Sequence, residues 1–177
     1  GPKAIWGRFY LGKQIMKTTD IEFVDYQPGG LATLCALQSA YYAQDWGFDH
    51  RYESVVSASI AEFLERYDPT KDFIQLVRQS GIIKGGIVID SLDGKCAQLH
   101  WFILSDDLRG AGTGRKLISN AMQFVIEKGY AEIFLTTFEG LKAARHLYQE
   151  VGFSLTNEQR NTTWGNEVTE QRFDWTA

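Results

Sequence analysis

KCAQLHWFILSDDLRGAGTGRKLISNAMQFVIEK, residues 95–128, decides the fold. Its opening, Lys95–Leu104, is an apolar run that suits a strand near the centre of a sheet. Its close carries Leu117, Ile118, Ala121, Met122 and Val125 at helical spacing, so a helix is expected from about Gly112 to Lys128, with Gly129 as its stop. Between strand and helix lies Arg109-Gly110-Ala111-Gly112-Thr113-Gly114. Glycines let backbone N–H groups crowd around an anion with no Cβ in the way. A helix N-terminus adds partial positive charge, and Arg109 and Arg115 add guanidinium groups suited to phosphate. The stretch therefore reads as a cradle for a phosphate or pyrophosphate. It is not the Walker loop, because Gly114-Arg115-Lys116 lacks the Gly-Lys-Ser/Thr ending. Nor is it the dinucleotide fingerprint. The spacing is G-x-G-x-G, and Glu132 stands at the start of the next strand rather than near its end.

Working outward, Ala131–Thr137 reads as a strand that completes a β-α-β unit with two neighbouring parallel strands. Leu141–Val151 is the next helix, and Gly152–Thr156 and Val168–Trp175 are late strands. Upstream, Ile21–Tyr26 alternates as a half-buried strand does. Helices over Leu31–Asp45 and Arg51–Tyr67 follow, then strands over Asp72–Arg78 and Ile82–Asp90. The order β-α-α-β-β-β-loop-α-β-α-β-β predicts a mixed α/β sheet with helices on both faces.

The 177 residues fit one domain. A formal charge of −4 argues against a nucleic-acid binder. No apolar run is long enough to span a membrane, and no secretion signal is read, so a cytoplasmic protein is expected. Cys35 and Cys96 stand far apart, which points to free buried thiols rather than a disulfide or a metal site. The first 18 residues hold Lys3, Arg8, Lys13 and Lys17 and no acid, and setting those four bases aside leaves 14 bases against 22 acids, a formal −8, on the rest. Residues 1–20 are read as an extension or linker, with Gly1-Pro2 as a tag remnant, and 21–177 as the domain. Aromatic residues reach 14%, and their densest cluster is Tyr41, Tyr42, Trp46, Phe48 and Tyr52.

Arg109-x-x-Gly112-x-Gly114 resembles the pyrophosphate loop of the GNAT (Gcn5-related) N-acetyltransferases, which bind acetyl-coenzyme A. A second block, Ala144-Arg-His-Leu147-Tyr148-Gln-Glu-Val-Gly152-Phe153, is similar to that family's A-x-x-L-Y-x-x-x-G-F segment. The resemblance covers roughly residues 21–175. Further stretches (YYAQDWGF, LTTFEGLKAARHLY, WGNEVTEQRF) resemble a bacterial branch often fused behind a MarR-type DNA-binding domain, although no helix-turn-helix is present in this sequence.

The resemblance implies an acyl-CoA N-acyltransferase fold, with a mostly antiparallel sheet splayed between its fourth and fifth strands. It implies acetyl-CoA as co-substrate, no metal, and attack by an amine through a tetrahedral intermediate. Carried over by position, Ile103 and Leu104 supply backbone contacts in the splay, and Arg109, Gly110, Ala111, Gly112, Thr113, Gly114 and Arg115 hold the pyrophosphate. Tyr148 matches the tyrosine that protonates the leaving thiolate. Its phenol stays protonated at neutral pH. For the base, His100 matches a histidine of arylalkylamine-acetylating members, and Glu139 is the rival. Gln98 stands where other members carry a catalytic glutamate. Leu141 replaces a common Asn, and Asp106 a common Pro. The first two helices wall the acceptor site in this fold, so Tyr41, Tyr42 and Trp46 are expected to bind substrate. Asp45, Asp49 and Glu53 are candidates to attract an ammonium, and Trp164 is a candidate to close the pocket. The expected partner is a small-molecule amine, with room for a homodimer. A protein lysine or N-terminus as acceptor, or a non-catalytic acyl-CoA sensor, are the alternatives.

Overall fold

A computed structural model describes residues 21–177; the expected extension, residues 1–20, lies outside the described residues. In chain order the elements are β1 (Ile21–Val24), α1 (Gly30–Trp46), α2 (His50–Glu65), β2 (Phe73–Gln79), β3 (Ile82–Ser91), β4 (Cys96–Leu104), α3 (Thr113–Lys128), β5 (Glu132–Phe138), α4 (Lys142–Glu150), β6 (Ser154–Asn161) and β7 (Val168–Thr176). The strands form one seven-stranded sheet in the order β1-β2-β3-β4-β5-β7-β6. Among the described residues only β4 and β5 run parallel, and every other pairing is antiparallel. Among the described residues no helix is long and apolar enough to cross a membrane.

The sheet is buried on both faces, and β3 shows why its sequence is nearly all apolar. Ile87 and Ile89 pack with Leu117, Ile118 and Val125 of α3, while Val88 points the other way toward Leu34 of α1 and Ile60 and Phe63 of α2. Each such side chain contributes about 1.5–3 kcal/mol when fully buried. By contrast β6, SLTNEQRN, is an edge strand with almost every residue exposed. That explains why it extends to Asn161 although its sequence carries an apolar signal only at its start. A short 3-10 turn at Asp106–Leu108 leads into the glycine loop. Cys35 is buried and Cys96 only partly so, and both are free.

Two local features open the sheet at its middle. First, β4 and β5 pair only through Cys96–Glu132, Ala97–Ile133 and Gln98–Phe134. Beyond Gln98 they part, although β4 continues to Leu104 and β5 to Phe138. Second, β4 carries a bulge: Gly86 faces Ile103 but Val88 faces His100, so β4 fits one more residue than β3 into that interval. Trp101 sits in the bulge with φ +51°. A left-handed backbone costs a bulky residue about 1–2 kcal/mol, which its packing against Phe63 offsets (ring centroids 5.7 Å apart). Gly85 permits the approach of the two strands, since a Cβ there would lie 2.5 Å from the Ile103 carbonyl oxygen.

Candidate active site

Where β4 and β5 part, the chain encloses a cavity of about 830 Å³. It is lined by the glycine loop and α4 and by tyrosines of α1 and α2 with Trp164 and Glu170, the Arg109 guanidinium lying over the Tyr41 ring between the two sets. Residues 98–104 of β4 and 135–138 of β5 form its sides.

At the loop end, Gly110 and Gly112 have φ +85° and +80°, and a Cβ on either would meet nothing within 4 Å. The requirement for glycine there is conformational, and the space beside it is open. Gly112 is the N-cap of α3, and no side chain caps the helix. The first N–H to bond back is that of Lys116, to the Gly112 carbonyl at 3.1 Å. The N–H groups of Thr113, Gly114 and Arg115 therefore have no helical acceptor and are available to an anion. The Arg109 guanidinium stands 5.6 Å over the Tyr41 ring and 3.1 Å from Asp106. Arg115 is paired with Glu150 at 2.9 Å, and that carboxylate raises the guanidinium's pKa. Arg109, Gly110, Gly112, Gly114 and Arg115 all line the cavity, whereas Ala111 and Thr113 do not.

Ile103 and Leu104 line it too, but in different ways. The Ser105 N–H donates to the Lys84 carbonyl at 2.8 Å, and the Ile103 carbonyl also lies against β3, beside Gly85. Strand alternation then turns the Leu104 N–H and C=O away from β3, toward the side where β5 has parted from β4. Of the two, Leu104 turns its backbone groups toward the parted side, while Ile103 reaches the cavity through its side chain.

Tyr148 is buried among Phe102, Phe153 and Phe173 and lines the cavity. Burial pushes its phenol well above the ordinary tyrosine range, so it remains a proton donor. Leu141, where the resemblance led one to expect Asn, precedes α4 with no side-chain cap and contributes an apolar wall instead.

His100 and Gln98 both line the cavity from the α1–α2 face of β4. His100 stacks on Trp101 (4.3 Å, 15°), and its Nε2 lies 3.3 Å from Oδ2 of Asp90. Asp90 is 2% exposed and accepts two hydrogen bonds from Arg66, at 2.6 and 2.9 Å. Burial raises the Asp90 carboxyl, but the bonds from His100 and Arg66 outweigh it and hold the group below its usual range. Sequence reading missed this pair. The signal was an acid ending the apolar run IVID, read only as the end of a strand. Glu139, the rival base, is exposed beyond β5, bonds through its backbone to Thr169 (2.9 Å), and does not line the cavity.

At the acceptor end Tyr41 and Tyr42 line the cavity, but Trp46 does not. Trp46 packs behind it, 6.2 Å from Phe48 and 6.0 Å from Phe138. Tyr42 is stacked on Phe48 (5.2 Å, 13°), and burial drives its phenol strongly upward. The Tyr52 hydroxyl donates to Gln38 Oε1 at 2.8 Å. Asp45, Asp49 and Glu53 are not in the lining. Asp49 instead caps α2 and is gripped by Arg51 at 2.7 Å, which lowers its pKa to about 2. The carboxylate that does line the cavity is Glu170, bonded by Asn161 Nδ2 at 2.7 Å. Trp164 lines it too, edge-on to Tyr52 at 5.5 Å.

Comparison with known proteins agrees with this architecture. An uncharacterised N-acetyltransferase of Schizosaccharomyces pombe is 25% identical over 117 residues, 65% of this chain and 71% of that protein. Human N-acetyltransferase 8B is 30% identical over 86 residues, 48% of this chain but only 38% of the human protein. A GNAT family acetyltransferase from Elizabethkingia anophelis, solved with acetyl-CoA bound, superposes with TM-score 0.63 at 16% identity over 90% of this chain and all of that one, which speaks to the fold. Residues 31–153 match the model of the acetyltransferase (GNAT) family; the chain, with its parted β4 and β5 and its glycine loop at a helix N-terminus, belongs to that family.

Proposed function

We propose that this acetyltransferase moves the acetyl group of acetyl-CoA directly to the primary amine of a small-molecule acceptor. The observation that carries the proposal is one cavity whose two ends differ in chemistry. A loop of free N–H groups and guanidinium groups suits a pyrophosphate. The opposite end, aromatic with a single lining carboxylate among the described residues, suits an ammonium. The loop residues fit the coenzyme, since the space beside Gly110 and Gly112 is open and α3 has no side-chain cap.

Acetyl-CoA supplies an activated acetyl group. The chain's own residues handle the rest. Arg109 and the N–H groups of Thr113 to Arg115 hold the diphosphate. The Leu104 N–H faces the developing charge on the carbonyl oxygen, the role of an oxyanion donor. His100 takes a proton from the acceptor's ammonium, freeing the nitrogen lone pair for attack. Tyr148 gives its phenolic proton to the sulfur as the carbon–sulfur bond breaks, and the second proton of the attacking nitrogen, lost as the amide forms, restores the phenol.

The test is a panel of small amines, lysine peptides and N-terminal peptides incubated with acetyl-CoA. Acetylated product is read by mass spectrometry and free thiol by colorimetry. Small amines should turn over. Transfer to peptides alone would overturn the small-acceptor reading, and coenzyme binding with no transfer to any amine would leave a sensor. In His100→Gln the acid limb of the pH–rate profile should disappear.

A further inference from the structure

The mechanism above uses His100 but not the two residues behind it. Asp90 is a charged side chain in the middle of a sheet, and buried charges are kept only where they are paired. Arg66 reaches it from beyond the end of α2 and binds both carboxylate oxygens. The carboxylate is also 3.3 Å from Nε2 of His100. Val88–His100 and Asp90–Gln98 are facing pairs of β3 and β4, so Asp90, His100 and Gln98 share one sheet face. The bulge at Trp101 follows directly and lays the indole against the imidazole. Ring plane and ring edge are thus both fixed.

We propose that Asp90, clamped by Arg66, is the positioning residue that sets His100 as the base, holding its Nε2–H and leaving Nδ1 to take the acceptor's proton. The proposal rests on the assignment of His100 made above. An ionised carboxylate only accepts hydrogen bonds, so the nitrogen facing it must carry the hydrogen. The lone pair of the neutral ring is then on Nδ1. When the acceptor's N–H bond breaks and an Nδ1–H bond forms, the ring becomes an imidazolium beside a buried anion. The charge created by the transfer is met by one already in place, and the proton passes to solvent after product leaves. Burial works against it, but the bonds from His100 and Arg66 hold the Asp90 carboxyl below its usual range, so it faces the ring as a carboxylate. Other ionisable groups around the pair are Glu62, 4.0 Å from Arg66, and the buried Asp72, whose charge also acts on Arg66, with the phenols of Tyr42 and Tyr52 and the Glu170 carboxylate in the same cavity lining as His100.

Two measurements test it. The first needs no variant: long-range nitrogen–proton NMR of the wild-type enzyme, with His100→Gln identifying the ring among three histidines. The Nε2–H tautomer is expected, and an Nδ1–H tautomer overturns the proposal even if Asp90 variants fail to fold. The second compares pH–rate profiles. Asp90→Asn should move the acid limb to lower pH by roughly one unit and lower kcat about tenfold at unchanged KM for acetyl-CoA. Arg66→Gln should move the limb the opposite way, because it removes the cation that offsets Asp90. A merely structural role would shift both variants alike or neither. Unmoved limbs in variants whose rate still depends on His100 overturn the role of Asp90 alone. A wild-type profile in His100→Gln overturns the base assignment and this proposal together.

Discussion

The two ends of the cavity were built in different ways. The coenzyme end comes from one contiguous stretch, β4 through α4, in which the strand, the loop and the helix each follow from local sequence. The acceptor end is assembled from α1, α2, the end of β5 and the segment leading into β7, with residues as far apart as Tyr41 and Glu170. On the proposed function the first would bind chiefly through backbone N–H donors placed by glycine conformation and a helix start, with Arg109 beside them. The second would bind through side chains. A backbone site depends on φ angles and tolerates change in most side chains, whereas a side-chain site can change its ligand by one substitution. The comparison predicts that variants at the two ends will separate cleanly in kinetics.

The largest effect should come where the two ends meet. Tyr148→Phe removes a proton donor without changing the packing against Phe102 and Phe153. General acids contribute about 10²–10⁴-fold, so kcat should fall at least a hundredfold while the binding of both substrates stays put. Stopped-flow measurement of thiol release would check this, and an unchanged kcat would remove Tyr148 from the chemistry.

Next is the loop. Gly112→Glu adds a side chain at φ +80° and a negative charge beside the N-terminus of α3. Strain costs about 1–2 kcal/mol, and the helix end then repels the diphosphate. Affinity for acetyl-CoA by calorimetry should fall about a hundredfold, with acceptor KM unmoved. Gly112→Asn tolerates the left-handed backbone and separates strain from charge, and it should lose much less.

The same contrast explains what could be read from sequence. Strand β4, the loop and helix α3 were legible because each obeys a local rule: an apolar run, alternate glycines, a 3.6-residue period. Tyr148 was singled out by its motif, and it is buried where it lines the cavity. The bulge at Trp101 was not, because a bulge is a property of two paired strands, and the offset between Gly86–Ile103 and Val88–His100 is invisible in either alone. The same holds for Arg66 and Asp90, 24 positions apart. Trp46 was misplaced for a related reason. The cluster Tyr41–Tyr52 reads as one aromatic patch, but Phe138, a ring nearly a hundred residues later, packs on both Tyr42, which lines the cavity, and Trp46, which does not. Asp49 was drawn into the acceptor site by proximity to those rings, while its fate was the local one of a helix cap.

The smallest effect is also the sharpest test of the acceptor end. Glu170→Gln removes one charge and little else: the amide is nearly isosteric and keeps a carbonyl oxygen for the bond from Asn161 Nδ2. The residue is half-buried, so water screens its field only in part. If the carboxylate attracts the acceptor's ammonium, the acceptor KM should rise about tenfold, worth about 1.4 kcal/mol. The effect should shrink as salt is added, since the attraction is Coulombic. Acetyl-CoA affinity should not change, because Glu170 belongs to the side-chain end and the diphosphate is read by backbone at the other. A flat acceptor KM would mean that the aromatic walls alone choose the substrate. A changed coenzyme affinity would mean that the two ends are coupled across the parted strands, and the separation argued from their construction would fail.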